Sequence, residues 1–304
     1  MNKIVSNCQN VATIGLGSMG YGIAVSAVRD RHNVWGVDIN PDQMAQFVID
    51  GGQSSPLTKV VNELDVVIIA VLNAAQTETI LFGDDGIVAK LRTGAAILAC
   101  ATVPPHFARA MATRCAAMGV LYLDAPISGG SIKASLGKLS IMASGTPEAF
   151  SAVQPVLKSI SETVFALGDD VGAGSAMKAV NQLLAGVHIA AMAEALTFGM
   201  TQGITPEKFV EVISKCAGTS WMLENRAPHI AAGDYTPQSS VNIWPKDLGI
   251  VLDIAKEARF AAPIATAALQ QFTAAAVMGL GGEDDAAVVK VYARSVGLTL
   301  PGEL

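Results

Sequence analysis

The sequence predicts an α/β protein, with a doubly wound parallel sheet in the N-terminal half followed by an all-α C-terminal domain. Three observations lead there. Short apolar runs at 10–16, 34–37, 66–72, 95–101 and 120–123 alternate with segments of helical periodicity, as expected of βαβ units covered on both faces. Beyond Gly174 no strand pattern recurs. Between the two textures lies Gly168 to Gly174, rich in glycine and aspartate, which divides the chain into domains 1–171 and 172–304. A chain of 304 residues has room for two full cores.

A net charge of −6 and a pI near 5.2 argue against a nucleic-acid surface, so any anionic ligand must be met by local groups. The four cysteines, Cys8, Cys100, Cys115 and Cys216, are scattered without a C-x-x-C pair, which fits a reduced cytoplasmic protein. Val11 to Val28 carries no charge, but its glycines have a better explanation than a membrane. Neither an export signal nor a membrane span is expected.

The first strand ends in Gly15-Leu16-Gly17-Ser18-Met19-Gly20. Helical spacing follows at Ile23, Ala24, Ala27 and Val28, then a second strand that ends in Asp38. Strand, glycine turn, helix, strand and acid in this register make a Rossmann-type dinucleotide site. The glycines permit a tight turn and close approach of backbone to a pyrophosphate at a helix N-terminus. Asp38 can accept hydrogen bonds from ribose hydroxyls and would repel a 2′-phosphate. No cation follows it before Lys59, so NAD is favoured and NADP is the lesser alternative.

Asn40-Pro41 caps and starts the next helix, which stops at Gly51-Gly52. The strands at 66–72 and 95–101 deliver Asn73 and Thr102 to the C-terminal sheet edge, where open α/β sheets bind ligands, so both are placed to touch the cofactor. Thr102 could equally cap the helix from Pro104 to Met118. The strand at 120–123 runs into Asp124-Ala-Pro-Ile-Ser128-Gly129-Gly130-Ser131, whose consecutive small residues suit either a turn or an anion-binding concavity. Strands at 139–144 and 163–167, and a helix capped by Thr146, complete this half.

Gly174 to Met200 contains no proline and only Lys178, Glu194 and His188 among ionisable groups. It is apolar on nearly every face, which argues for burial. With Ser175 as N-cap, Lys178 stands in the first turn, where burial and the helix dipole both oppose its charge and lower its expected pKa. Such a lysine can exchange protons near neutral pH, although one snorkelling to solvent is the plainer alternative. Further helices are expected at 206–217, 221–232, 263–278 and 285–296, with a loop at 233–245 before a helix opening at Lys246-Asp247-Leu248. Lys246 is a second cation at a helix N-terminus, easier to understand if an anion or cofactor faces it. No histidine spacing suits a metal, and G-x-S-x-G and P-loop motifs are absent.

Taken together, the motifs resemble the β-hydroxyacid dehydrogenase family over nearly the full length. They are Gly-Leu-Gly-Ser-Met-Gly at 15–20, Asp-Ala-Pro-Ile-Ser-Gly-Gly at 124–130, Lys178-Ala-Val-Asn181-Gln182 and Lys246-Asp247-Leu248. The family's usual Asn-Asn is Asn181-Gln182 here. The resemblance implies NAD along the first domain and a hydroxy-acid carboxylate on Ser128, Gly129 and Gly130. It implies Lys178 as general acid/base, Asn181 orienting the substrate with Gln182 beside it, and Lys246 against the nicotinamide end. Family relatives are dimers or tetramers through the helical domain. Longer runs at 182–190, 220–226, 234–237 and 283–288 resemble a branch acting on four-carbon acid sugars, with Asn225 and Arg226 as further candidates for hydroxyl contacts. Action on hydroxyisobutyrate or a three-carbon semialdehyde is the alternative within the family, and a non-catalytic NAD-binding regulator the alternative outside it.

Overall fold

The structure, a computed structural model, describes residues 8–303 and forms two compact units, Met1–Lys178 and Ala179–Leu304. In the first unit five parallel strands lie in the order β2-β1-β3-β4-β5. They are β1 (Asn10–Ile14), β2 (Asn33–Val37), β3 (Val66–Ile69), β4 (Ala96–Ala99) and β5 (Leu121–Asp124). The four residues of β3 have no exposure at all, because helices cover both faces of the sheet. Burial of each such Val or Ile stabilises by about 1.5–3 kcal/mol. The order reverses between β1 and β3, and this is where an open parallel sheet leaves a crevice at its C-terminal edge.

Helix α1 (Gly20–Arg29) leaves the glycine turn, and α2 (Pro41–Ile49) is capped by Asn40, whose side chain accepts from the Asp42 N–H. Helices α3 (Ala74–Phe82) and α4 (Pro105–Ala116) complete the crossovers. The chain then forms β6 (Ile127–Ser128), α5 (Gly130–Leu136), β7 (Leu139–Ala143), α6 (Pro147–Ile160) and β8 (Ser161–Ala166). A second sheet has the order β6-β7-β8, antiparallel then parallel. An isolated bridge between Asp124 and Ser144 joins the end of β5 to the end of β7. The two-residue β6 falls where a turn or anion-binding concavity was expected, since Ile127 pairs with Ile141 across the ladder.

Helix α7 runs from Ala173 to Thr201, beginning in the first unit and ending in the second. It starts two residues before Ser175, which is therefore not its N-cap, and Lys178 lies in the second turn rather than the first. By length and apolarity α7 would be long enough to cross a membrane. Instead, its side chains Ile189, Ala193 and Leu196 are fully buried in the core of the second unit.

The second unit continues with α8 (Pro206–Ile213), α9 (Trp221–Ala232), α10 (Ile243–Glu257), α11 (Pro263–Ala275) and α12 (Val289–Ser295). Helix α10 begins before Lys246 and includes Pro245, because proline in a first turn gives up an N–H that has no intrahelical partner anyway. Trp244 stacks on Phe272 with ring centres 5.3 Å apart. Gly186 of α7 makes room for this packing, as a β-carbon there would lie 3.0 Å from the Trp244 ring.

Candidate active site

The glycine turn is dictated by sterics. Gly15 has φ +94°, and a β-carbon on it would stand 2.5 Å from the Ala70 carbonyl oxygen beyond β3. One on Gly20 would come within 1.8 Å of the Gly15 carbonyl oxygen. Gly17 differs, since a β-carbon there would meet nothing within 4 Å. The protein's own packing does not require glycine at 17, but close approach of a ligand to the backbone would. Leu16, Ser18 and Met19 form the remainder of the turn, Met19 being the residue before α1.

Asp38, just beyond β2, is tied to the same turn. Its Oδ2 accepts from the Leu16 N–H at 2.6 Å, and its Oδ1 from the Asn40 N–H at 2.9 Å. Each carboxylate oxygen retains capacity for a second donor, as a pair of ribose hydroxyls would supply. The residues present therefore fit a dinucleotide with an unmodified ribose. Asn73 follows β3 and caps α3, its Oδ1 accepting from the Gln76 N–H at 2.9 Å. Thr102 follows β4 and is half-buried; Pro104, not Thr102, is the residue preceding α4.

Ser128, Gly129 and Gly130 lead into α5, with φ of 136° at Gly129 and 77° at Gly130. Residues with a β-carbon rarely adopt such values. At Gly130 the space a β-carbon would fill is open. Lys178 comes to this loop from α7. It is 8% exposed, and its Nζ donates to the Ile127 carbonyl at 2.9 Å, next to Ser128. The first unit thus holds the glycine turn with Asp38, and separately Lys178 with the 127–130 loop.

Within the second unit, Asn181 donates from Nδ2 to Gln182 Oε1 at 2.9 Å, and Gln182 donates from Nε2 to Asp247 Oδ2 at 2.5 Å. Lys246 Nζ forms an ion pair with Asp247 Oδ1 at 2.5 Å. The anion facing Lys246 is thus its own neighbour, a buried carboxylate that sequence reasoning did not single out.

Arg226 is brought into a different cluster. Buried on α9, it donates from Nε to Asp285 Oδ1 at 2.5 Å, and its guanidinium also bonds to the Asn225 side chain. Asp285 further accepts from Trp244 Nε1 at 3.0 Å, while Asp284 Oδ2 accepts from the Gln238 N–H at 2.9 Å. This is an internal brace. A groove of about 890 Å3 beside α4 and residues 170–176 is lined by none of the candidate site residues.

Parallel sheet, glycine turn and strand-end acid define a dinucleotide-binding oxidoreductase half, carried here with a helical half. Residues 10–168 match the family described as the NAD binding domain of 6-phosphogluconate dehydrogenase. Residues 172–292 match that described as the NAD-binding region of NADP-dependent 3-hydroxyisobutyrate dehydrogenase. The chain is 47% identical over 297 residues to an L-threonate dehydrogenase of Cupriavidus necator, spanning 97% of this chain and 99% of that one. An L-threonate dehydrogenase of Escherichia coli is 43% identical, over 96% of this chain and 97% of the relative. A crystal structure of a 3-hydroxyisobutyrate dehydrogenase from Salmonella typhimurium superposes with a TM-score of 0.88 at 42% identity, covering 93% and 99% of the two chains. The chain belongs to the β-hydroxyacid dehydrogenase family, NAD-binding oxidoreductases that act on CH–OH donors.

Arg226→Ala separates bracing from ligand binding. Removing one partner of a buried ion pair costs about 3–5 kcal/mol, so a clear fall in thermal midpoint is expected. Burial raises the Asp285 pKa, and the Arg226 guanidinium opposes that rise. Without Arg226 the folded-state value climbs further above the unfolded one, near 3.9. A raised carboxylate favours the fold below its unfolded pKa and loses that contribution as pH rises through the folded pKa. The midpoint deficit of the variant should therefore grow with increasing pH. An unchanged midpoint with a raised substrate KM would instead make Arg226 a ligand contact.

Proposed function

We propose that the protein is an NAD-dependent dehydrogenase that oxidises L-threonate to its 2-oxo acid, with Lys178 as general acid/base. The observation that carries this reading is the buried Lys178, with its Nζ 2.9 Å from the Ile127 carbonyl beside the Ser128-Gly129-Gly130 loop. The two L-threonate dehydrogenases above, at 47% and 43% identity over nearly whole chains, support the substrate. The nucleotide-binding domain of this reading is 1–171, and 172–304 supplies substrate contacts and assembly.

Bound NAD supplies the hydride acceptor. Backbone N–H groups of the 15–20 turn hold the pyrophosphate, Asp38 accepts from the ribose hydroxyls, and Asn73, Thr102 and Lys246 border the rest of the cofactor. The substrate carboxylate rests on the N–H groups of Ser128, Gly129 and Gly130. Asn181 and Gln182 orient the hydroxyl-bearing carbons. Lys178 Nζ takes the proton of the reacting hydroxyl as hydride leaves the same carbon, and returns it in the reverse direction. The protein is proposed to be cytoplasmic, in keeping with cysteines scattered without a C-x-x-C pair, and to assemble as a homodimer or homotetramer. An apolar stripe along α7, formed by Met177, Val180, Leu184 and Phe198 at 44–67% exposure, supports assembly through the helical unit.

Three measurements test the reading. Lys178→Ala should keep NADH binding and lose turnover by about 10²–10⁴-fold, and a loss below tenfold removes Lys178 from the proton step. Wild-type enzyme should have a higher kcat/KM with NAD than with NADP, and Asp38→Ala should narrow the gap. A preference for NADP would refute the ribose assignment. With NAD, kcat/KM for L-threonate should far exceed that for 3-hydroxyisobutyrate, because polar groups that pair with extra hydroxyls are left unpaired by a methyl. Equal values would reject the sugar acid and leave the family intact.

A further inference from the structure

The start of α7 is buried against the ends of β5 and β7. Ser175 is 1% exposed, and a β-carbon on Gly174 would lie 2.4 Å from the Met142 carbonyl oxygen. Four N–H groups at this end, of Gly172 to Ser175, precede the first regular helical bond, which runs from Ala176 N–H to the Gly172 carbonyl at 2.9 Å; that of Ala173 donates to the Asp170 carbonyl at 3.4 Å. The other three are met by residues distant in sequence. Asp124 Oδ2 accepts from the Gly172 N–H at 3.0 Å and from the Ser175 N–H at 2.8 Å. Ser144 Oγ accepts from the Gly174 N–H at 3.0 Å. Asp124 Oδ1 takes the Ser175 hydroxyl at 2.7 Å, and the Ser144 hydroxyl reaches Oδ2 at 3.4 Å.

Asp124 and Ser144 are locked to each other by a pair of backbone hydrogen bonds, Asp124 N–H to the Ser144 carbonyl at 3.0 Å and the reverse at 2.8 Å. Three residues beyond Asp124 is Ile127, and three residues beyond Ser175 is Lys178. Those two are also joined, by the Nζ hydrogen bond of 2.9 Å. Asp124–Ser175 and Ile127–Lys178 are thus successive rungs between one loop and one helix face. The first rung sets the height and rotation of α7 at which the second places the amine.

We propose that Asp124 and Ser144 are positioning residues that hold Lys178 at the 127–130 loop for proton transfer. This rests on the assignment of Lys178 as the general acid/base. Every partner of the Asp124 carboxylate is a donor, so an acceptor-only group fits the site. A carboxamide of the same shape would lose the charge that strengthens these bonds, and with its NH2 at the Oδ2 position it would set a donor against the Gly172 and Ser175 N–H groups. The helix start would shift to relieve that, and Lys178 with it, while the glycine turn and Asp38 would be untouched.

The test uses Asp124→Asn and the milder Ser144→Ala in the full-length enzyme, with Ser159→Ala as control. Ser159 is a buried hydroxyl whose bonds run to His32, Asp30 and the Pro155 carbonyl, none of them on α7. Turnover of L-threonate with NAD is referred to the number of NADH-binding sites, so an unfolded fraction does not count. Displacement of a reacting group by about 1 Å costs on the order of 10²-fold, so kcat in both variants should fall about ten- to a hundredfold. NADH affinity and the KM for NAD should stay within about twofold, a split that loss of stability alone does not produce. Ser159→Ala should lower the thermal midpoint and keep kcat. Wild-type kcat per site in Asp124→Asn and Ser144→Ala would overturn the proposal, whatever their midpoints. If those variants kept kcat while Lys178→Ala lost it, the positioning role alone would fall. If Lys178→Ala kept it, the proton-carrier assignment would fall first.

Discussion

A helix that begins inside a protein must find acceptors for N–H groups that its own carbonyls cannot reach, and the structure turns on how α7 meets that demand. Leaving one such group unpaired costs about 1–3 kcal/mol. Asp124 and Ser144 answer for Gly172, Gly174 and Ser175 together. Both acceptors stand at the ends of strands, β5 and β7, and the bridge between them makes a single rigid fitting. The cap therefore does more than end a helix. It fixes the second turn, where Lys178 is, against the loop that follows β5.

Burial would ordinarily force Asp124 towards its neutral form, and burial does raise its pKa; the Ser175, Gly172 and Ser144 hydrogen bonds oppose that rise. The same opposition operates at Asp285, where the opposing group is a guanidinium instead of a helix end. Two buried carboxylates are thus stabilised by different means. At Asp124 the donors are neutral, so no cation is placed beside Lys178 by this device. At Asp285 a full charge is used, and the Arg226 Nε is committed to that carboxylate.

The parts of the molecule that could be read from sequence are those whose cause is local. Gly15 and Gly20 are required by atoms within a few residues or on the adjacent strand turn, and the spacing of the motif carries that requirement. Alternation of apolar runs revealed β1 to β5, since a strand buried on both faces has no polar side to confuse the pattern. The apolar run of α7 made Lys178 conspicuous. The start of α7 was misplaced because Ser175 is a good local cap, whereas the acceptors in use lie far upstream at 124 and 144. The loop expected at 233–245 proved helical from Ile243 onwards, since proline is compatible with a first turn. Asn225 and Arg226 were candidates for hydroxyl contacts; the Arg226 partner Asp285 is visible only once α9 and the chain before α12 are folded together, and Asn225 bonds to Arg226 itself.

The acidic balance of the chain bears on how its ligands are held. With a net charge of −6 the long-range field repels both a dinucleotide and a hydroxy acid. Attraction must come from contacts shorter than a Debye length, about 8 Å at physiological ionic strength. The groups available for this at Gly17 and at Gly130 are backbone N–H dipoles beside open space. That choice suits the proton-carrying role proposed for Lys178. A cluster of fixed cations next to Lys178 would favour its neutral amine so strongly that returning a proton to the substrate oxygen would become the easy direction and accepting one the hard one. Neutral donors at the proposed carboxylate site add no such bias.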